Sequence, residues 1–155
     1  MDRKRAFSLI ELIIVIVIIG VIAGMAIPRL SRGANNAGSA ALRGDLAVLR
    51  GAIEQYRAEH EGTLPDVTNF VAQLTQYSNL AGDTFADAPN TATGIIYGPY
   101  MREIPKLPVG SKKGLSVVED SSATTTAWLY NPTTGSITAD LGTETDNDGV
   151  LYTSY

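Results

Sequence analysis

The sequence contains no cysteine and one histidine among its 155 residues. Without cysteine, a disulfide framework, a thiol nucleophile and a cysteine-ligated metal site are all excluded. Nucleophile elbows, phosphate-binding loops and metalloprotease helices are also missing from the sequence. We therefore expect a protein that is not an enzyme. An enzyme on an ordinary membrane anchor is kept as an alternative, because a catalytic site built from scattered residues leaves no motif.

The chain has fewer basic residues than acidic ones. The chain has 12 lysine and arginine residues against 16 aspartate and glutamate residues, which gives a formal net charge of −4 at pH 7. This balance argues against a nucleic acid as ligand, since binding to phosphates requires a basic surface. A chain of this length has room for one modest domain.

The most prominent feature present is an apolar run, residues 7–27, just behind the basic cluster Arg3, Lys4 and Arg5. Crossing a bilayer takes about 20 apolar residues, so this run is long enough. One acidic residue, Glu11, interrupts it. A carboxylate at the centre of a bilayer costs about 2.5 to 3.5 kcal/mol, and the run holds no basic residue that would pair with it. We therefore expect the partner of Glu11 to come from elsewhere.

Two simple interpretations explain the run incompletely. A secretory signal peptide would use Gly24, Met25 and Ala26 as its cleavage site, but the run is too long for that class and carries a charge. A plain membrane anchor explains the length and leaves Glu11 without a role.

A third interpretation rests on a resemblance to type IV pilins and type II secretion pseudopilins. Residues 3–11 read Arg-Lys-Arg-Ala-Phe-Ser-Leu-Ile-Glu and are followed by leucine, isoleucine and valine residues and then by Pro28. The resemblance implies that a prepilin peptidase removes a basic leader, residues 1–6, by cleaving between Ala6 and Phe7, and that it methylates the new N-terminus. The family generally has glycine where this chain has Ala6, so the cleavage site departs from the pattern.

Glu11 matches the family's glutamate, four residues beyond the new N-terminus at Phe7. The resemblance implies that this glutamate neutralises the terminal amine of a neighbouring subunit as a filament assembles. An opposite charge nearby favours an ionised carboxylate, and removing one partner of a buried ion pair costs about 3 to 5 kcal/mol. The pair is therefore expected to select the register of assembly.

Small residues and a proline mark the predicted span. Gly20 and Gly24 form a Gly-x-x-x-Gly pair, which lets helices approach closely in lipid, with chance occurrence as the alternative. Pro28 lies four residues further along and is expected to kink the helix. The family resemblance implies that the helix loosens between these positions when subunits enter the filament.

Beyond this proline the helical pattern continues, with an apolar residue at alternating steps of four and three. The apolar stripe consists of Leu42, Leu46, Leu49, Ile53 and Tyr56. Arg50 and Glu54 are expected to pair on another face, and Gly62 is the predicted stop. A helix from Phe7 to about His60 would be roughly 80 Å long, so its first half is expected to lie in a membrane or against partners.

The head is predicted to begin with a short helix near Pro65 and Asp66, followed by a surface loop over residues 79–94. Residues 98–108 contain three prolines and resemble the proline-containing loop of major pseudopilins. Strands are predicted at residues 115–118 and 126–130, and a third strand at residues 136–139 follows the turn Asn131-Pro132-Thr133-Thr134-Gly135.

So small a sheet needs a covering element, and we expect the apolar stripe to cover it, with Trp128 and Tyr130 packed between them. The expected fold is α+β and pilin-like, with a long N-terminal helix against a small antiparallel sheet. Its expected parts are the leader (1–6), a membrane-spanning or filament-core helix (7–29), its amphipathic continuation (30–61) and a periplasmic head (62–155).

The acidic segment at residues 144–149, Glu-Thr-Asp-Asn-Asp-Gly, places oxygen-bearing side chains at alternate positions before a glycine. This pattern is similar to the start of a calcium loop. An EF-hand is excluded, because its twelfth position is occupied by Tyr155. Several major pseudopilins bind calcium in an acidic C-terminal loop, so the resemblance implies Asp146 and Asp148 as calcium ligands. A solvated acidic turn is the alternative.

Taken together, these features predict a structural subunit of a type II secretion pseudopilus, most like the major pseudopilin, that forms a homo-oligomeric filament. A type IV pilin and a membrane-anchored binding module are the alternatives. The resemblance implies a prepilin peptidase, an inner-membrane assembly platform and minor pseudopilins as partners. It also implies a bacterial inner-membrane protein with a cytoplasmic N-terminus and a periplasmic head that later joins a periplasmic pseudopilus.

Overall fold

The computed structural model describes residues 8–155, except for the side chains of residues 26–32. In chain order, its elements are α1 (Leu9–Glu59), α2 (Phe70–Thr75), β1 (Tyr77–Ser78), β2 (Phe85–Ala86), β3 (Val117–Glu119), β4 (Thr126–Tyr130), β5 (Ile137–Ala139) and a 3₁₀ turn (Tyr152–Ser154). A long helix and a small sheet therefore dominate the described fold, and the predicted α+β class is confirmed.

Helix α1 contains 51 residues, or roughly 77 Å at 1.5 Å per residue, and it runs through Pro28 without a break. It starts after Ser8, whose backbone is extended, and its last turn closes with a 2.9 Å hydrogen bond from the His60 N–H to the Tyr56 carbonyl. Glu61 then adopts a left-handed φ of +55°, which stops the helix, and the N–H of the following Gly62 donates to the Arg57 carbonyl at 2.8 Å. Gly62, the predicted stop, is therefore part of the cap but is not its first left-handed residue. The helix ends at Glu59, one residue before the predicted end near His60, whereas the predicted start at Phe7 lies outside the described residues.

The C-terminal half of α1 forms one side of the head's core. All five residues of the apolar stripe are at most 1% exposed. Trp128 and Tyr130 of β4 belong to the same core and are buried, as predicted. The Trp128 indole donates to the Pro105 carbonyl at 2.9 Å, and the Tyr130 hydroxyl donates to the Pro65 carbonyl at 3.0 Å. Each aromatic ring therefore keeps a partner for its polar atom while its apolar surface is removed from water.

The three-stranded sheet is mixed, whereas the sequence predicted an antiparallel one. Strands β4 and β5 are antiparallel, with Trp128 opposite Ala139, but β3 runs parallel to β4. The difference lies in residues 120–125, which form a returning loop and not a tight hairpin turn. This loop brings Thr126, at the start of β4, beside Val117, at the start of β3, although it is shorter than the dozen or so residues that usually connect parallel strands. Strands β1 and β2 form a separate antiparallel pair.

The short helix begins later than predicted. Asp66 caps the turn before α2, because its carboxylate accepts the Asn69 N–H at 2.7 Å, and the helix starts only at Phe70. The predicted surface loop at residues 79–94 contains β2. A strand of two residues is too short to show a periodic pattern in sequence, so its pairing was not predictable.

Gly82 lies against the tyrosine at the centre of the core. Its φ is +69°, and a Cβ at this position would lie 2.0 Å from the Tyr56 hydroxyl oxygen. That hydroxyl is buried without a hydrogen-bond partner among the described residues. Gly94 offers a matched position, because its φ is +73° and nothing lies within 4 Å of an added Cβ.

We expect Gly82→Ala to destabilise the head by about 2 to 4 kcal/mol, because backbone strain and a steric clash add. Gly94→Ala should cost about 1 kcal/mol, since it incurs the strain alone. Tyr56→Phe removes an unpaired buried hydroxyl, so it should be neutral or stabilising and should recover part of the loss in the Gly82→Ala background. Urea unfolding of the full chain in detergent measures these effects. Equal losses for the two glycine variants would contradict the clash.

Buried tyrosines limit the stability of the head at alkaline pH. Burial, reinforced by the negative charge of Asp66, raises the pKa of Tyr56 to about 12, and burial likewise raises the pKa of Tyr130 to about 12. A tyrosine in an unfolded chain ionises near pH ~10, so the folded state favours the neutral phenols. Their contribution to stability is complete below pH ~10 and is lost as the pH rises through the folded-state values.

We therefore expect the head to unfold between about pH 10 and about pH 12. Phenolate absorbance and circular dichroism, followed in one titration, should show that some of the seven tyrosines ionise only as the fold is lost. The contrary result is ionisation of every tyrosine in one step near pH ~10 with unchanged dichroism.

Candidate functional site

The N-terminal half of α1 presents apolar side chains in every direction. Its large apolar residues are exposed, from Leu9 at 76% to Met25 at 70%. A helix that is apolar all round requires a membrane or other helices around it. Among the described residues, no helix is long and apolar enough to cross a membrane. The predicted span, residues 7–29, extends beyond the described side chains at both ends and stays a prediction.

Glu11 has a local partner that the sequence analysis missed. Its Oε2 accepts the backbone N–H of Ser8 at 3.2 Å. Ser8 and Glu11 have the spacing of a capping box, and the N-terminus of a helix favours a negative charge. The Ser-x-x-Glu spacing was the signal that would have revealed this contact. A hydrogen bond to a neutral N–H leaves the carboxylate charged, so a counterion is still required for burial in an apolar environment.

Ala6 and Phe7, the predicted cleavage site, lie outside the described residues. The cap turns the Glu11 carboxylate back toward Ser8, the residue that directly follows Phe7. Cleavage before Phe7 would therefore create a cationic amine one residue away from the N–H that the carboxylate already contacts. The pairing of Glu11 with the amine of a neighbouring subunit stays a prediction.

Gly20 and Gly24 lie on the exposed half of α1, and nothing lies within 4 Å of a Cβ added at either position. The strip of helix between them is therefore open to close approach by another molecule. Their packing role stays a prediction. The kink expected at Pro28 also stays a prediction, and the side chain of this proline is outside the described set.

Asp146 belongs to the C-terminal loop (residues 140–149) and lies against α1, and both of its carboxylate oxygens accept hydrogen bonds. Oδ1 accepts the N–H groups of Asp148 and Val150, each at 2.9 Å. Oδ2 accepts the Tyr155 hydroxyl and lies 3.4 Å from the Arg43 guanidinium. These donors, with the Tyr155 hydroxyl foremost, hold the pKa of Asp146 below its ordinary value.

This donor set does not favour calcium at the two predicted ligands. Calcium takes about six to eight oxygen ligands, whereas Asp146 already binds protein donors, one of which is the cationic Arg43. Asp148 is exposed and contributes its N–H to the cluster. Within the part of the chain that the structure describes, no three histidine, cysteine, aspartate or glutamate side chains are grouped to hold a metal ion. Calcium binding by Asp146 and Asp148 stays an untested prediction.

Comparison with known proteins bears directly on the N-terminal helix. The prokaryotic N-terminal methylation motif matches residues 1–27. The type II secretion system core protein G of Klebsiella pneumoniae is 31% identical over 111 residues, which cover 72% of this chain and 73% of that protein. The chain belongs to the core protein G family.

A second core protein G, from Escherichia coli (strain K12), is 34% identical over 59 residues, which cover 38% of this chain and 41% of that protein. No solved structure matches the chain significantly. Membership in the core protein G family confirms the predicted resemblance to pseudopilins. The matched methylation motif includes Ala6, Phe7 and Glu11, the residues on which that resemblance was based.

In this core protein G homologue, the C-terminal loop and the tail that follows it (residues 150–155) dock on a polar face of α1 that the sequence analysis did not identify. Asn147 donates to the Asn36 side chain at 2.7 Å. Ser39 and Tyr152 bring their hydroxyl oxygens to 3.5 Å. The signal was available as spacing, because the helix residues of this face lie three, four and seven positions apart. They are Asn36, Ser39, Arg43 and Arg50.

Arg50 corrects one detail of the prediction. It was expected to pair with Glu54, but its guanidinium donates to the carbonyls of Tyr155 at 2.5 Å and Ile137 at 3.2 Å. Glu54 lies 3.8 Å from Arg57 instead. The Arg50 guanidinium therefore binds two backbone carbonyls, one in the tail and one in the sheet, and not Glu54. An exposed ion pair along a helix contributes only a few tenths of a kcal/mol.

Proposed function

We propose that this protein is a structural subunit of a type II secretion pseudopilus and that it polymerises through the N-terminal half of α1. The observation that carries the proposal is the contrast between the two halves of one helix. The apolar stripe is buried by the head, whereas the apolar residues from Leu9 to Met25 are exposed on all sides. Such a surface is stable only in lipid or among other helices, and polymerisation supplies the second environment.

The proposed topology follows from charge and hydropathy. Members of this family are membrane-associated, with a periplasmic location. For this chain we assign residues 7–29 to a single span, the basic leader to the cytoplasmic side and residues 62–155 to the periplasm. The same helix then leaves the membrane to become the core of the pseudopilus. Gly20 and Gly24 would allow neighbouring helices to approach closely there.

Electrostatics would set the register of the filament. Cleavage between Ala6 and Phe7 by a prepilin peptidase creates a cationic amine, which N-methylation leaves charged. The Glu11 carboxylate of an incoming subunit would pair with the amine of a subunit already in place. A subunit out of register would bury an unpaired charge at a cost of about 3 to 5 kcal/mol. Proposed partners are further copies of the chain, minor pseudopilins and an inner-membrane assembly platform, and the proposed role is structural and not enzymatic.

Two substitutions separate the charge of Glu11 from its role as a helix cap. Glu11→Gln keeps an oxygen that can accept the Ser8 N–H, because glutamine serves in capping boxes as glutamate does, but it removes the charge. Glu11→Ala removes both. We expect both variants to lose the leader normally and to lower filament yield by at least about 100-fold, which corresponds to the roughly 3 kcal/mol cost of an unpaired buried charge.

Leader removal is measured from the mass of the protein extracted from membranes, and assembly from the yield of sheared filaments. Glu54→Gln is the matched control, since it removes an exposed carboxylate from the same helix and should assemble normally. Normal filament yield from Glu11→Gln, together with failure of Glu11→Ala, would show that the cap matters and the charge does not.

A further inference from the structure

The C-terminal loop carries four carboxylates within nine residues, at positions 140, 144, 146 and 148. So dense a group of negative charges repels itself unless cations or hydrogen-bond donors offset it. Three of the four accept hydrogen bonds from side chains outside the loop or from the tail. The three are Asp140, Glu144 and Asp146.

Lys112 contacts the most buried of these carboxylates. Its Nζ donates to Asp140 Oδ2 at 2.5 Å and to the Ala123 carbonyl at 2.7 Å. The Ser122 hydroxyl donates to the same carboxylate at 2.8 Å. The side chains of Lys112 and Asp140 are 17% and 5% exposed. The ammonium thus binds oxygens from two separate segments, the C-terminal loop and the β3–β4 loop, as a bound metal cation would.

Arg43 contacts the same loop from α1. Its guanidinium lies 3.4 Å from Asp146 Oδ2, and its carbon lies 4.1 Å from the centroid of the Tyr155 ring. The Tyr155 hydroxyl donates to the same Asp146 oxygen. The guanidinium therefore forms an ion pair and a cation–π contact at once and clamps the tail onto the helix.

The Glu144 carboxylate needs no cation, because it accepts hydrogen bonds from neutral donors. The Ser111 hydroxyl donates to its Oε1 at 2.5 Å, and the Ser111 N–H lies 3.0 Å from its Oε2. This contact joins the C-terminal loop to the loop that also carries Lys112.

We propose that Lys112 and Arg43 hold the acidic C-terminal loop in its folded position in place of a bound divalent cation. A calcium ion at Asp140 would have to displace Lys112 and leave its largely buried ammonium unpaired. At Asp146 it would compete with the Tyr155 hydroxyl and with the Arg43 guanidinium, which already occupy Oδ2. The head of this chain therefore folds independently of calcium, in contrast to the calcium site that the family resemblance implied. The inference does not depend on the proposed filament role.

Thermal unfolding of the full chain in detergent tests this inference. The melting temperature should be the same in millimolar calcium chloride as in EDTA. Lys112→Met should lower it by roughly 5 °C or more, because the substitution leaves Asp140 buried without its cation. Lys113→Met is the matched control, since Lys113 is the exposed neighbour and its loss should shift the melting temperature by no more than about 1 °C.

A second pair of variants keeps the test usable if Lys112→Met does not fold. Arg43→Gln should lower the melting temperature by about 2 to 4 °C, whereas Arg57→Gln, which removes an exposed arginine from the same helix, should leave it nearly unchanged. An increase of more than about 3 °C on adding calcium to the wild-type chain would overturn the inference. Equal shifts within both variant pairs would also overturn it. Melting does not require filaments, so failure here is distinguishable from failure of the pseudopilus proposal.

Discussion

The proposed assembly depends on one constraint, a carboxylate that stands at the start of an exposed apolar helix. Glu11 stands in the first turn of a helix whose following residues are apolar and exposed, and its described contact is a backbone N–H. In the proposed filament, the amine of a neighbouring subunit supplies the missing positive charge. The free energy that opposes burial of a lone carboxylate then favours polymerisation in one register.

The length of α1 lets one helix serve two different cores. Its apolar stripe, from Leu42 to Tyr56, is buried against the head, while the N-terminal half keeps its apolar surface for lipid or for other subunits. The head in turn closes over the helix without any disulfide. Trp128 and Tyr130 fill the core, and the tail attaches to the polar face of α1 through amide, hydroxyl and guanidinium contacts.

Features set by residues close together in the sequence could be predicted, whereas contacts between residues far apart in the sequence could not. The C-terminal end of α1 and the apolar stripe were predictable because a glycine close to a helix end and a 3.6-residue period are local signals. The parallel pairing of β3 with β4 follows from the path of a loop, and the Arg43–Asp146 contact joins residues 103 positions apart. No local pattern encodes either. The capping box of Ser8 and Glu11 is also a local signal. It was missed because the charge of Glu11 led us to expect a partner in another subunit.

The most direct test of the central electrostatic pair is a distance measurement by solid-state NMR in filaments that contain two populations of subunits. One population carries a carbon label in the Glu11 carboxylate, and the other carries a nitrogen label in the Phe7 amine, so any contact between labels crosses a subunit interface. We predict a dipolar contact at ion-pair distance, on the order of 4 Å. No contact in the mixed filaments, or a contact seen only when both labels are in the same subunit, would contradict the intersubunit pair.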